Sequence, residues 1–187
     1  MQLIDALNAI HPISQKGREA MSNLIEQGSF QKGHHLLNFW QIDHHMHFVM
    51  KGSGRVYYIK DGLDVTDYIA MDGQFLGGVI SVFTQQPSHK AIELTEDSVI
   101  ESVPFAEMEK LASQMHEIET LARKIMTWAF LECQERIESI RFHSAAERYA
   151  ALEKKYPGIS NRLPLKHIAS YLGTTQVSLS RIRAGLQ

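Results

Sequence analysis

Only one cysteine, Cys133, occurs in the chain. An internal disulfide is therefore excluded, and so is an iron–sulfur cluster held by the cysteines of one chain. No apolar run approaches the ~20 residues that a membrane-spanning helix needs. The start, Met1-Gln2-Leu3-Ile4-Asp5, has no basic region followed by an apolar core, so no secretory leader is expected. These absences point to the cytoplasm and to no membrane partner. Catalytic signatures are missing too. There is no Gly-x-Ser-x-Gly, P-loop or His-Glu-x-x-His, and no Ser/His/Asp set falls into a local pattern. No catalytic residue is expected, hence no enzyme and no cofactor. What is present suits one or two ordinary folded domains: 187 residues, 44% hydrophobic and 21% charged.

The segment Leu165–Arg183 carries the most information. It reads as a helix-turn-helix, the unit that places one helix in the DNA major groove. Ile168 and Leu172 lie four apart on the inner face of a first helix. Ala169 is small where two crossing helices come close. Gly173 sits at the turn, where a positive φ is cheapest without a Cβ. Thr174 and Thr175 are N-cap candidates for a second helix. Leu179 and Ile182 point back to the core, which leaves Gln176, Ser178, Ser180, Arg181 and Arg183 facing outward, toward base edges and phosphates.

Charge is distributed to match. From Arg141 onward there are eight Lys/Arg against two acids, a net +6, whereas residues 1–140 carry a net −8. A basic end on an acidic body suits a phosphate-facing module and a double-stranded DNA partner.

Residues 1–28 read as helical. Ile4, Leu7 and Ile10 form one face, Pro12 interrupts, and Ser14 caps a second segment with Met21, Leu24 and Ile25 inside. The middle then changes period. Phe39-Trp40, His47–Met50, Arg55–Ile59, Val65–Ile69 and Val99–Val103 are short β-type runs divided by glycine turns. Asp61-Gly62 is a strong hairpin signal. Many short strands imply a small antiparallel barrel or jelly roll. After Pro104 the helical period returns, first over 105–112 and then over about 115–142. Met126, Phe130, Cys133, Ile137 and Ile140 follow the 4-3-4-3 spacing of a heptad seam, and Leu121, Ile125 and Trp128 form a second stripe. One stripe is expected on the roll and the other on a twin helix, making a homodimer. The expected fold is thus α+β: a β-roll sensor at 1–114, a dimerisation helix at 115–142, and a helical DNA-binding module at 143–187.

This order of β-roll, long helix and basic helix-turn-helix resembles the Crp/Fnr family of bacterial transcription regulators along nearly the whole chain. The glycine-framed turns Lys51-Gly52-Ser53-Gly54 and Asp72-Gly73-Gln74-Phe75-Leu76-Gly77 carry it in the middle. At the C-terminal end, Ser144–Tyr149 and Leu163–Gly173 look like the branch common in Bacteroidetes-type genomes. The resemblance implies a homodimer that couples an effector-binding roll to DNA. Cyclic-nucleotide-binding members have a Gly-Glu pair and, later, an arginine that neutralises the cyclic phosphate. Here Gly77 is followed by Gly78, and Gln86–Ala91 contains no arginine. His89 and Lys90 offer charge there, but not a bidentate guanidinium. Cyclic AMP is therefore not the expected effector. The equivalent pocket, for an unidentified small molecule, is lined by Phe75, Gly77, Gly78, Val79, Ser81 and Ser88.

In the recognition helix the resemblance matches Arg181, whereas Gln176 and Val177 stand where Arg-Glu is frequent. Arg181 suits guanine, Gln176 adenine and Val177 a thymine methyl, with Thr175 and Ser178 on phosphate. Ser180 completes the expected DNA-binding set. The sequence after Arg183 has no room for the two strands of the family's terminal wing, so the fold is expected to lack it. Ten histidines, densest at His34-His35 and His44-His45-x-His47, invite a metal reading. They read instead as surface or half-buried strand residues, with no metal expected. Cys133 reads as a small residue of the seam. A second functional reading stays open: a ligand-binding or interaction module with a degenerate DNA-binding domain.

Overall fold

Two short helices, α1 (Leu3–Ile10) and α2 (Gln15–Ser22), lead into eight strands in the computed structural model, which describes residues 1–185. The strands are β1 (Glu26–Phe30), β2 (His35–Leu37), β3 (His45–Lys51), β4 (Gly54–Lys60), β5 (Leu63–Ala70), β6 (Gln74–Leu76), β7 (Ala91–Leu94) and β8 (Ser98–Pro104). They form two four-stranded antiparallel sheets, ordered β1-β8-β3-β6 and β2-β7-β4-β5. A short helix, α3 (Val79–Thr84), interrupts the strands between β6 and β7. Then come α4 (Phe105–Gln114), the long α5 (His116–Phe142), and a C-terminal group of α6 (Ala145–Lys155), α7 (Ile159–Arg162), α8 (Leu165–Tyr171) and α9 (Gln176–Arg183). The fold is the expected α+β roll, long helix and helical module. The expected lack of a wing concerns the chain's end, where Leu186 and Gln187 lie outside the described residues.

The β4–β5 hairpin forms as its sequence dictates. Asp61 and Gly62 both take positive φ, +53° and +75°, and Lys60 pairs with Leu63 across a two-residue turn. That backbone twist matches the twist of the strands. Between the sheets, Leu37, Val49, Val56, Ala70, Leu76, Ile92, Leu94 and Ile100 form one core. A second core joins the roll to the helices: Phe48 and Val103 pack with Leu3, Leu7 and Met21, and with Ile118, Leu121 and Ile125 of α5. Each fully buried side chain of this kind contributes about 1.5–3 kcal/mol.

Three local expectations are corrected. Phe39-Trp40 is a turn, not a strand: Trp40 has φ +66° and is exposed. The second helix stops at Ser22, so Leu24 and Ile25 lie outside it and lead toward β1. On α5, Leu121 and Ile125 are buried against the roll, but Trp128 is exposed. Trp128 lines an open cavity beside the roll instead of a packed core.

The C-terminal module leans on the roll. Ile69 of β5 and Met71 share a core with Leu152, Ile159, Ile168 and Leu179. Ser170 Oγ of α8 accepts the Thr66 N–H of β5 at 2.9 Å. Arg162 of α7 pairs with Asp72 and Glu96, each at 2.5 Å, and donates to the Gly52 carbonyl at 3.0 Å. Residue 142 therefore ends a helix, but packing runs across it.

Candidate nucleic-acid interface and effector cavity

The outer helix of the C-terminal module is built from its turn. Gly173 adopts φ +65°, and the Thr174 N–H closes onto the Ala169 carbonyl at 2.9 Å, ending α8. Thr175 then caps α9: its Oγ1 accepts the Ser178 N–H at 3.1 Å. Leu179 is completely buried and Ile182 half-buried, which fixes the rotation of the helix. As a result Thr175, Gln176, Val177, Ser178, Ser180 and Arg181 are all exposed, with Arg183 beyond them. Val177 is 65% exposed, a large apolar side chain left in water beside polar neighbours. The Thr175 hydroxyl also contacts Ser178 Oγ at 2.9 Å, so its first task is the cap.

The basic end is less free than its composition implies. Arg148 donates to the Leu172 carbonyl at 2.9 Å and to the His143 carbonyl. Lys155 pairs with Glu132 of α5 at 2.6 Å. Arg162 is held by Asp72 and Glu96 of the acidic roll. Just before the module, Arg136 donates to the Tyr171 carbonyl at 3.1 Å and stacks on the Tyr171 ring at 3.9 Å. Arg136 and Arg148 thus sit at the carbonyl end of α8, where cations are favoured. Three of the eight C-terminal bases are spent inside the molecule.

The second site is a cavity of about 370 Å³ between the roll, α3 and α5. All six pocket candidates, Phe75, Gly77, Gly78, Val79, Ser81 and Ser88, line it. What periodicity missed is that Val79 and Ser81 stand on a helix. The six-residue stretch Val-Ile-Ser-Val-Phe-Thr is rich in strand-favouring residues. From α5 come Ile125, Met126, Trp128, Ala129, Glu132 and Cys133.

The polar groups around this cavity are mostly taken. Ser81 Oγ accepts the Asp43 N–H at 3.0 Å and donates to the Gln86 carbonyl at 2.6 Å. Ser88 Oγ accepts the Lys90 N–H at 3.0 Å. Lys90 is paired with Asp67 at 2.7 Å, and His89 is exposed. Glu132 binds Lys155 and accepts from Tyr68 at 3.2 Å. Burial, together with Glu132, pushes the Tyr68 phenol up, so it stays a donor. The carboxylate absent at Gly78 has a counterpart that arrives from elsewhere. Buried Asp43 accepts the Gly78 N–H at 2.8 Å and the His45 N–H at 3.1 Å. Burial pushes the Asp43 carboxyl up, but His47 and these two N–H groups outweigh it and hold the carboxyl below its usual range. Asp43 therefore braces the loop.

His47 is the exception. Its ring is buried, and Nδ1 lies 2.7 Å from Ser102 Oγ. Its Nε2 has no hydrogen-bond partner, the one such buried side-chain atom among the described residues. The other histidines are dispersed in role. His34 stacks on Phe30, His35 Nε2 meets the Tyr57 hydroxyl at 3.0 Å, and His44 Nδ1 meets Gln85 Oε1 at 3.1 Å. Among the described residues, no group of three or more His, Cys, Asp or Glu is arranged to hold a metal. Cys133 is exposed on α5, as are the seam residues Met126, Phe130, Ile137 and Ile140. Among the described residues, no helix is long and apolar enough to cross a membrane.

No protein-family model matches the chain, and no curated protein matches it. Solved structures do. FixK2 from Bradyrhizobium japonicum is similar over 87% of this chain and 84% of its own, at 17% identity and a TM-score of 0.72. A Crp/Fnr-family transcriptional regulator structure from Eubacterium rectale matches over 98% of this chain and 88% of its own, at 18% identity and a TM-score of 0.69. The c-di-GMP-responsive global regulator CLP of Xanthomonas campestris matches over 93% of this chain and 92% of its own, at 10% identity and a TM-score of 0.67. At such identities the likeness is one of fold: a roll, a long helix and a C-terminal helical module, in the same order as here.

Proposed function

We propose that the chain is a DNA-binding transcription regulator of the Crp/Fnr type, a homodimer joined through the 115–142 helix, with a roll that senses an effector other than cyclic AMP. The observation that carries this reading is the face of α9. Thr175 caps the helix and Leu179 is buried, so Gln176, Val177, Ser178, Ser180 and Arg181 stand in solvent together. That set reads base edges and phosphates, and a helix-turn-helix pair reads two half-sites about one helical turn apart. The exposed apolar row Met126, Phe130, Ile137 and Ile140 supports a twin helix, because large apolar side chains in one row on one helix favour a partner. Against cyclic AMP stand the absent Glu at 78, the absent Arg in 86–91, and the Asp67 partner of Lys90. A buried phosphate without cationic partners is costly.

The test is fluorescence anisotropy of the full-length protein on a palindromic duplex selected from a random library. Affinity should fall steeply as salt rises, through counterion release. An absence of binding at low salt, on selected duplexes and on genomic fragments alike, would overturn the DNA reading. It would favour the interaction-module alternative.

A further inference from the structure

A second, smaller cleft lies outside the roll, in the elbow where α5 meets the C-terminal module. We propose that it binds a small phosphate-bearing anion, held between the guanidinium groups of Arg136 and Arg148. The site is separate from the sensing cavity and from the exposed face of α9, so it stands or falls independently of both.

Place and size come first. The cleft has a volume of about 220 Å³ and is walled by α5, α6 and the end of α8. Tyr68 and Glu132, joined at 3.2 Å, line both this cleft and the larger cavity, and so stand between them. The volume falls below the roughly 300–1,000 Å³ of sites for drug-sized ligands. It suits an ion or a short phosphate ester. Cys133, Ile140, Ala151, Leu152 and Leu172 supply apolar walls, which can cover the carbon end of an ester.

Charge comes second. Three bases line the cleft, Arg136, Arg148 and Lys155, against two acids, Glu132 and Glu135. Lys155 and Glu132 neutralise each other at 2.6 Å. Tyr68, Cys133 and Tyr171 are the other titratable groups of the lining, and none of them is a carboxylate or a base. Two guanidiniums therefore stand against one carboxylate, a net +1 in a chain whose total is −2. That carboxylate, Glu135, is exposed, so water and salt screen it.

The third observation is that both guanidiniums keep donors in reserve. Arg55, Lys90, Lys155 and Arg162 each have a carboxylate at 2.5–2.7 Å. Arg136 and Arg148 have none among the described residues, and their partners are main-chain carbonyls. Arg136 donates from Nη2 to Tyr171, and Arg148 donates from Nε and Nη1 to Leu172 and His143. Nε and Nη1 of Arg136 and Nη2 of Arg148 are left over. Both side chains are half-buried, yet none of these three atoms is itself buried. His47 Nε2 is the one buried side-chain atom without a partner among the described residues. The bonds to the adjacent Tyr171 and Leu172 carbonyls, and the Tyr171 ring 3.9 Å from Arg136, hold both groups at the end of α8 before a ligand arrives. Such preorganisation lowers the ordering cost of binding. A tetrahedral phosphate accepts charge-assisted bonds from two guanidiniums on different helices, whereas a planar carboxylate pairs best with one.

The experiment is isothermal titration of the full chain, without DNA, in chloride buffer of low ionic strength, using inorganic phosphate, methyl phosphate and acetate. Phosphate should saturate one site per chain at about 1 mM, the affinity that two charge-assisted hydrogen bonds supply. Methyl phosphate should bind at least as tightly, and acetate at least about tenfold more weakly. Arg148→Gln should weaken phosphate by at least about tenfold. Glu135→Gln leaves every bond to α8 intact and should tighten phosphate about two- to fivefold. Arg141→Gln removes an exposed base outside the lining and should change nothing. The proposal is overturned if phosphate does not saturate, if acetate binds as tightly, or if Glu135→Gln has no effect. It also fails if Arg141→Gln weakens phosphate as much as Arg148→Gln, the result of surface charge alone. Should Arg148→Gln unfold the module, Glu135→Gln and acetate still decide. A duplex backbone offers the same phosphate chemistry, and Glu135→Gln separates the two sources. For a free anion, its operator affinity in phosphate-free buffer stays within about twofold of wild type. If the operator tightens instead while free phosphate fails to saturate, the group bound is the duplex's own and the proposal fails.

Discussion

The two ends of the molecule use polar side chains in opposite ways. On α9, Gln176, Ser178, Ser180 and Arg181 are turned outward around a buried Leu179. Around the cavity, Ser81, Ser88, Lys90, Asp43 and Glu132 are bound to neighbours, and His47 Nε2 is the one buried side-chain atom among the described residues without a hydrogen-bond partner. An exposed helix face has water for its polar groups, so it can keep many donors available. In an enclosed space each spare polar group is a liability unless a neighbour satisfies it.

The sharpest way to break this contrast is from the inside of α9. Leu179→Ala should cost about 2–5 kcal/mol, because it removes buried methylene groups and leaves a cavity. Val177→Ala, two residues away and 65% exposed, should change stability by less than about 0.5 kcal/mol. Urea denaturation followed by circular dichroism checks both. Equal effects would mean that the helix is not rotated as described.

Next in size is a binding effect with no stability cost. Arg181→Ala should lose about 1–3 kcal/mol on the selected operator and relax one base position. Anisotropy across single-base operator variants reads this directly. A uniform loss over all variants would make Arg181 a phosphate contact instead. Val177→Ala belongs in the same series, since discrimination at one thymine should fall with it while stability stays put.

A third effect distinguishes the packed side of the helix pair from its open side. His167 of α8 is buried, and burial, with Arg55 and Lys166 adding to it against Asp64 and Glu93, pushes its imidazole down to about 4. The unfolded chain titrates near the ordinary value of about 6.5. Between those two values the unfolded state binds more protons, so stability rises with pH. The contribution is complete above about 6.5 and is lost as pH falls toward 4. Melting temperatures between pH 7.5 and 4.5 should therefore fall more steeply for the wild type than for His167→Gln. Parallel curves would mean that His167 is solvated.

The same contrast explains what the sequence made legible. The Asp61-Gly62 hairpin, the Gly173 turn, the Thr175 cap and the buried Leu179 each depend on neighbours within a few positions, and each was readable. The strand β1, Glu-Gln-Gly-Ser-Phe, was not, because it is a polar edge strand fixed by its pairing with β8. α3 was hidden because β-branched residues form a helix there under tertiary constraint. The six pocket residues could be named from the resemblance, but their chemistry could not. Asp43 reaches Gly78 across 35 positions, and Lys155 reaches Glu132 across 23. The net charge of the C-terminal end overstates its free charge for the same reason: Arg162 finds Glu96 66 positions earlier. Composition counts charges, whereas only the fold decides which of them remain available.

The smallest expected effect tests whether the open face and its scaffold are separable. Thr175 is exposed, so it stands among the residues of the proposed DNA-facing side, yet its Oγ1 already accepts the Ser178 N–H. Thr175→Ala should cost about 1 kcal/mol by leaving that N–H without its cap, and Thr175→Ser should restore most of it, because serine caps as well. If Thr175 served only the helix, operator affinity would follow stability through all three proteins. If its methyl or hydroxyl also meets the duplex, Thr175→Ser would regain stability while leaving affinity or its salt slope altered. Denaturation and salt-titrated anisotropy on the same three proteins decide between these. They do so at the residue where the inward and outward uses of polar groups meet.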